Sequence, residues 1–267
     1  MSPSFVRCAA CGVVNVAPAR ECTACGTIIP RDAAEPDAVP TAPTPNSVVP
    51  LLGENPDVVG WRRVRGVARL FLGCLAVLLV GTVVTKLGVR ELHVDLALTA
   101  LVAVVACLAL VFGWKTLAPT LRTTGGTRGL LAAIVGWLAI AGLAQVYFPV
   151  FRWLGFPFVR CTDIYVDAGF PTWSTYLFIS LVPAICEEIV FRGYITARLS
   201  DLLSPIETIV VQAALFALIH LSPVVFPSHF VMGVVFGIVR RRAGSLYPSM
   251  FAHAAWNACV VFSEVGW

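Results

Sequence analysis

Charged residues are scarce in this sequence. Only 13% of its 267 residues are Asp, Glu, Lys or Arg, and 58% are apolar, whereas a soluble domain has about 25% charged and about 45–50% apolar residues. The uncharged runs 96–114 and 129–151 have about the length, roughly 20 residues, that a helix needs to cross a bilayer core. This composition excludes a soluble globular domain and predicts an all-α, polytopic transmembrane helix bundle.

Lysine is also rare, with 2 Lys beside 17 Arg. The arginines form short clusters between apolar runs and lack the basic, aromatic-interleaved face that nucleic-acid binding requires. We therefore expect no nucleic-acid partner and interpret the net charge of +4 as a topological signal. The preference for Arg with abundant Ala and Val is typical of a GC-rich bacterial genome.

The first residues lack the continuous apolar core of a secretory signal, so we expect about the first sixty residues to stay in the cytosol. Seven apolar segments follow, at about 66–86, 94–115, 129–151, 172–200, 205–221, 229–240 and 246–263. Every second connection is strongly basic, which marks the cytosolic side. The pattern predicts about seven spans in a bacterial plasma membrane, with the N-terminus in the cytosol.

Four of the nine cysteines form two pairs within residues 1–29. They are Cys8, Cys11, Cys22 and Cys25, and a glycine follows each pair. Two such knuckles place four thiolates around one tetrahedral metal. A disulfide pair or a redox dithiol is the alternative, but a reducing cytosol disfavours the disulfide. The pattern predicts a zinc ribbon with a structural zinc ion.

Residues 30–60 form the next region, and seven prolines lie among alanine, threonine and acidic residues there. This composition predicts a disordered, proline-rich linker. The transmembrane domain then covers residues 61–267. The ribbon at the end of such a linker is a candidate binding site for a protein partner or substrate.

Polar motifs interrupt the apolar C-terminal half. Glu188 and Arg192 are four residues apart and can form an ion pair on one helical face. Glu187 points about 100° away from Glu188 and has no evident partner in its own helix. A carboxylate at membrane depth needs pairing or water. Either both glutamates anchor helix packing, or Glu187 is a general base.

Three further polar residues lie on two later segments. His220 ends one apolar segment, with Phe216 one turn before it to support its ring, and His253 and Asn257 share a face one turn apart. At about 1.5 Å per residue, Glu187, His220 and Asn257 lie roughly 21, 22 and 18 Å from the cytosolic ends of their helices. We therefore expect these groups to converge at one depth, although each could also serve packing alone.

Such a cluster suits amide hydrolysis. Glu187 could take a proton from water while His220 holds the water and relays the proton to the leaving amine. His253 and Asn257 could donate to the oxyanion of the tetrahedral intermediate. The alternative is a zinc site of Glu187, His220 and His253, although the sequence has no HExxH helix. We favour the metal-free version.

The small residues Gly233 and Gly237 lie one turn apart in the sixth segment. Their spacing permits a close approach of two helices, whether or not the cluster is catalytic. We therefore expect this segment to pack tightly against a neighbour.

Three motifs in order resemble those of the CPBP intramembrane proteases, which include the CAAX prenyl protease 2 type and proteins similar to lysostaphin resistance protein A. They are EEIVFR at 187–192, FALIH at 216–220 and the stretch at 230–257 that ends in HAAWN. The resemblance covers residues 170–263. Cys186 and His229 are not motif positions.

The resemblance implies roles for individual residues. Glu187 is similar to the catalytic glutamate, beside Glu188 and Arg192 of the same motif, and His220 to its water-activating partner. His253 and Asn257 are similar to the pair that stabilises the transition state. The family has been described both as metalloproteases and as glutamate proteases, so the resemblance leaves the metal open.

The leading hypothesis is an intramembrane endopeptidase that cleaves a peptide or protein substrate entering from the cytosolic side or the membrane. A non-enzymatic immunity factor or scaffold is the first alternative, with the polar cluster used for packing. A small-solute or proton-coupled transporter is the second, because transporters also bury Glu and His.

Overall fold

The computed structural model describes residues 5–8, 14–16, 20–22, 26–29, 56–156 and 160–265. The chain divides into two compact units, residues 1–59 and 60–267. The predicted linker lies almost entirely outside the described residues, and it remains a prediction.

The N-terminal unit contains two short strands, β1 (Phe5–Arg7) and β2 (Val14–Val16), which pair antiparallel. Cys8 and Cys22 are buried in one small cluster with Val6 and Ile29. The Nδ2 atom of Asn15 lies 3.6 Å from the Cys22 sulfur. The two cysteines therefore share one interior, as two knuckles of a ribbon would require.

The other half of the predicted zinc site cannot be compared with the structure, because Cys11 and Cys25 lie outside the described residues. The zinc ribbon and its structural zinc therefore remain predictions.

Eight helices make up the described part of the second unit, and α1 begins a few residues before it. They are α1 (Pro56–Lys86), α2 (Glu91–Arg122), α3 (Gly126–Trp153), α4 (Asp163–Val166), α5 (Thr172–Leu199), α6 (Pro205–Leu218), α7 (Phe226–Ala243) and α8 (Tyr247–Val265). Each of the seven predicted segments falls on one long helix, which confirms the helical bundle.

Four of the described helices, α1, α2, α3 and α5, are long and apolar enough to cross a membrane. The protein is therefore an integral membrane protein. Helix α6 has 14 residues and is shorter than a usual span, and seven spans, like the cytosolic N-terminus, remain a prediction.

Helix α5 departs from regular α-helical geometry. Residues Tyr176–Leu181 and Glu188–Ile195 are π-helical. A π-helical turn widens the helix and shifts its hydrogen-bond register, and it is often found at functional sites. The second segment contains Glu188 and Arg192 of the polar motif, and the first ends at Leu181, before the motif begins. The spacing of the motif predicts a regular α-helix here, and the π-helical geometry corrects that expectation.

Local signals fix where α6 begins and where α7 ends. Ser204 and Glu207 form a reciprocal capping box around Pro205 at the start of α6, with the Ser204 backbone nitrogen 2.8 Å from Glu207 Oε2. Helix α7 ends at Gly244, whose φ of 64° is the left-handed cap that glycine adopts without strain.

Helix α7 packs closely against α6, as its glycines predicted. A Cβ atom on Gly233 would lie 2.8 Å from the Cα atom of Ala213 in α6. The Gln212 Nε2 atom donates to the Gly233 carbonyl oxygen at 2.8 Å. This contact holds the helices that carry His220 and His229 side by side.

We expect Gly233→Ala to lower the free energy of unfolding by about 1–3 kcal/mol, because the added methyl group meets backbone atoms that cannot move aside. Gly142→Ala on α3 is the matched control, since its Cβ atom would meet no atom within 4 Å, and we expect it to be neutral or stabilising by up to about 1 kcal/mol. Denaturant unfolding in detergent micelles measures both. Equal stabilities would contradict the close packing.

Candidate active site

A buried ion pair lies at the centre of the polar cluster. Arg192 Nη1 is 2.9 Å from Glu188 Oε1, and both side chains are fully buried. The predicted pairing within one helix is therefore confirmed, on a π-helical segment of α5. Each charge compensates the other at a depth where an unpaired charge is unfavourable.

Two aromatic rings flank the Arg192 guanidinium. Its Cζ atom lies 4.2 Å from the centre of the Phe216 ring on α6 and 5.2 Å from that of Phe236 on α7. The Arg192 Nε and Nη2 atoms have no hydrogen-bond partner among the described residues. The ring faces supply attraction to the cation instead, and they join α5, α6 and α7 at one point.

His253 on α8 contacts both glutamates. Its Nδ1 atom lies 3.1 Å from Glu188 Oε1, and its Nε2 atom lies 3.9 Å from Glu187 Oε2. Its ring stacks on Phe236 at 4.8 Å between centroids. Because a carboxylate paired with arginine only accepts hydrogen bonds, Nδ1 is the donor to Glu188. His253 therefore presents Nε2 to Glu187.

The adjacent carboxylates lie in different surroundings. The Glu188 side chain is fully buried against a cation, whereas 20% of the Glu187 side chain is exposed, and Glu187 lines a cavity. The predicted difference in direction between the two side chains is therefore present. Only Glu187 can meet a water molecule or a substrate in the cavity.

His220 follows the last turn of α6. Its Nδ1 atom lies 2.8 Å from the Phe216 carbonyl oxygen, so Nδ1 carries the hydrogen and Nε2 remains an acceptor. Phe216 also meets the His220 ring edge-on at 5.0 Å between centroids. The predicted support by Phe216 is confirmed. Leu221 follows with a φ of 52°, a conformation that is strained for leucine.

Asn257 lies one turn beyond His253 on α8. Its Nδ2 atom donates to the Ile179 carbonyl oxygen at 3.2 Å, within the first π-helical segment of α5. This bond fixes the amide plane and leaves one N–H of the amide for a ligand.

One cavity of about 1250 Å³ connects these groups, and their common depth in the membrane remains a prediction. Five polar residues of the cluster line it, together with apolar residues of α1, α2, α3 and α5. The five are Glu187, His220, His229, His253 and Asn257. The cavity also reaches Asp95 and Tyr165. Its size and mainly apolar wall suit a peptide segment rather than a small ion.

The segment before α5 lies at the far end of this cavity. The Glu264 carboxylate accepts from the Thr162 backbone nitrogen at 3.0 Å and from the Cys161 thiol at 3.2 Å. The Tyr165 hydroxyl donates to Asp95. Two carboxylates thus attach this segment to α2 and α8.

The zinc alternative requires Glu187, His220 and His253 to surround one ion. Across residues 56–156 and 160–265, and in the described parts of the N-terminal unit, no three His, Cys, Asp or Glu side chains are arranged to hold a metal ion. The zinc alternative and the metal-free version both remain predictions.

Several contacts were missed by the sequence analysis. The Glu188–His253 contact, the stacking of Phe236 on His253 and the contact of His229 with His220 join residues of different helices. Helical spacing gives no information on such pairs. The one available signal was His229 itself, a polar residue shortly after His220 across a turn with two prolines.

Comparison with known proteins supports the family resemblance. Residues 169–259 match the family described as type II CAAX prenyl endopeptidase Rce1-like, which is about a third of the chain and agrees with the predicted range 170–263. The match supports assignment of this region to the CPBP family. No curated protein and no solved structure matches the chain.

We expect Glu188→Gln to lower the free energy of unfolding by about 3–5 kcal/mol, because it leaves the buried Arg192 charge unpaired. The double variant with Arg192→Met should recover part of this loss. Asp163→Asn is the control, since its ion pair with Arg160 is about half exposed and contributes no more than about 1 kcal/mol. Equal losses in unfolding experiments for Glu188→Gln and Asp163→Asn would contradict a buried ion pair.

Proposed function

We propose that this protein is an intramembrane endopeptidase that hydrolyses a peptide bond with water activated by Glu187 and His220. The observation that carries the proposal is the difference between the adjacent carboxylates. Glu188 is neutralised by Arg192, whereas Glu187 faces a cavity that three histidines and an asparagine also line. Helix packing alone requires only the first arrangement.

Glu187 is the general base. It takes one proton from a water molecule in the cavity, and the water oxygen attacks the carbonyl carbon of the peptide bond. The His220 Nε2 atom, an acceptor when Nδ1 donates to the Phe216 carbonyl oxygen, binds the second hydrogen of the water. When the C–N bond breaks, the proton taken from water passes to the leaving amine through this pair, so protons balance over the cycle.

His253 and Asn257 stabilise the oxyanion. Asn257 contributes the amide N–H that Ile179 does not occupy. His253 contributes Nε2–H in its imidazolium form, in which Nδ1 still donates to Glu188. Donors aimed at the developing charge in a water-poor site contribute more than they would in water. Glu188 and Arg192 act through His253, whose ring they hold.

This mechanism needs no metal, and we favour the glutamate-type protease over the zinc version. The support is His253, whose Nδ1 atom donates to Glu188. In the imidazolium that the mechanism uses, its Nε2 atom also carries a hydrogen, which leaves no nitrogen for a metal ion. The family name denotes CAAX prenyl endopeptidases, and the apolar wall suits a prenylated or otherwise apolar peptide that enters from the cytosolic side or the membrane. The proposed location is a bacterial plasma membrane.

The N-terminal ribbon has a separate proposed role. Cys8, Cys11, Cys22 and Cys25 hold a structural zinc ion, and the ribbon recruits a protein partner or substrate to the membrane domain. The burial of Cys8 and Cys22 in one cluster supports a shared metal.

We expect Glu187→Gln to lower cleavage of a fluorogenic peptide library by about 10²–10⁴-fold, because the amide cannot take a proton from water. The library should include prenylated and unmodified peptides, and the protein should be purified in detergent. Glu91→Gln, an exposed glutamate on α2, is the matched control and should cleave as the wild type does.

Other outcomes point to the alternatives. A wild type that cleaves no peptide, with cellular function retained in Glu187→Gln, would favour the scaffold or immunity factor. Loss of solute uptake without any proteolytic product would favour the transporter.

We expect about one zinc ion per chain by elemental analysis, since four thiolates saturate a tetrahedral ion. Cys8→Ser and Cys22→Ser should each lower the zinc content and leave peptide cleavage intact, because the site is structural. Cleavage that is lost on treatment with a chelator and restored by zinc, in these ribbon variants, would overturn the metal-free mechanism.

A further inference from the structure

His229 on α7 is a polar residue of the cavity that the mechanism above does not use. Its ring centroid lies 4.0 Å from that of His220, with an angle of 49° between the ring planes. No other pair of described aromatic or histidine rings lies closer. The contact joins the residue just beyond the end of α6 to the first turn of α7.

The orientation of His229 is itself fixed. Its Nδ1 atom lies 3.0 Å from the Val225 carbonyl oxygen one turn earlier, and 3.3 Å from the Ser228 hydroxyl oxygen. The loop before α7 is held as well, because the Tyr147 hydroxyl on α3 donates to the Val224 carbonyl oxygen. His229 therefore presents a ring of defined position.

His220 needs such support. It lies just beyond a helix end, beside the strained Leu221, and it is half-buried. One hydrogen bond to the Phe216 carbonyl and the edge contact with the Phe216 ring hold it from its own helix. His229 supplies the contact from another helix.

We propose that His229 is a positioning residue whose ring fixes the plane of the His220 imidazole, so that His220 Nε2 faces the water and the substrate. The effect of this contact on catalysis rests on the proposed function. We call the support of the His220 ring by the His229 ring the platform, and it depends only on the ring geometry. It is the ring of His229, and not its nitrogen atoms, that acts on His220.

Two substitutions separate the ring from the nitrogen atoms. His229→Leu removes the ring at similar volume, and we expect kcat to fall by about 10- to 100-fold with KM changed by no more than about threefold, because misplaced catalytic groups slow chemistry more than binding. His229→Phe keeps a ring and should retain kcat within about threefold of the wild type. His93→Leu, an exposed histidine on α2, is the control.

A second measurement reports on His220 without any cleavage. In protein labelled with ¹⁵N-histidine, His220 should give the signals of a single Nδ1–H tautomer in the wild type and in His229→Phe. In His229→Leu the signals should become an average of both tautomers. The His220 signals are assigned by their loss in His220→Gln.

Each outcome has a distinct meaning. If His229→Leu keeps wild-type kcat and one tautomer, the platform is wrong while the proposed function stands. If His229→Phe loses as much kcat as His229→Leu, the nitrogen atoms matter and the ring proposal is overturned. If the wild type cleaves nothing but the tautomer changes only in His229→Leu, the proposed function fails and the platform stands.

Discussion

An arginine and a glutamate are buried together inside an apolar bundle, where each charge compensates the other. The neighbouring side chains are arranged around this ion pair. The Arg192 charge is paired with Glu188 and enclosed by the rings of Phe216 and Phe236. Glu188 also binds His253. Four helices therefore meet at one ion pair, and a displacement of α6, α7 or α8 would remove a ring or a histidine that contacts the buried charges.

This arrangement gives two neighbouring glutamates different tasks. Glu188 is occupied by a cation and a histidine, whereas Glu187 lies on the cavity wall with its carboxylate near His253 Nε2. Phe216 connects the ion pair to His220, since its ring contacts both Arg192 and His220. Its carbonyl oxygen also accepts a hydrogen bond from the His220 ring. The proposed base and the proposed water-binding histidine are thus positioned from a common centre.

The order of the helices and the membrane environment could be predicted from the sequence, because hydropathy depends on composition alone. The Glu188–Arg192 pair and the support of His220 by Phe216 could also be predicted, since each joins residues one turn apart in one helix. The π-helical turns of α5 could not, because a widened turn has no spacing signature of its own. Nor could the Glu188–His253 contact, which joins residues 65 positions apart.

The sequence by itself determined that this chain is a helical membrane protein, which residues are polar at membrane depth, and which of them share a helical face. Short-range geometry and the unfavourable burial of charge suffice for these conclusions. Only the tertiary structure decided which glutamate faces the cavity, which histidine nitrogen faces Glu187, and that His229 lies against His220. Those features depend on how helices pack across one another, and packing is set by side chains that are distant in the sequence.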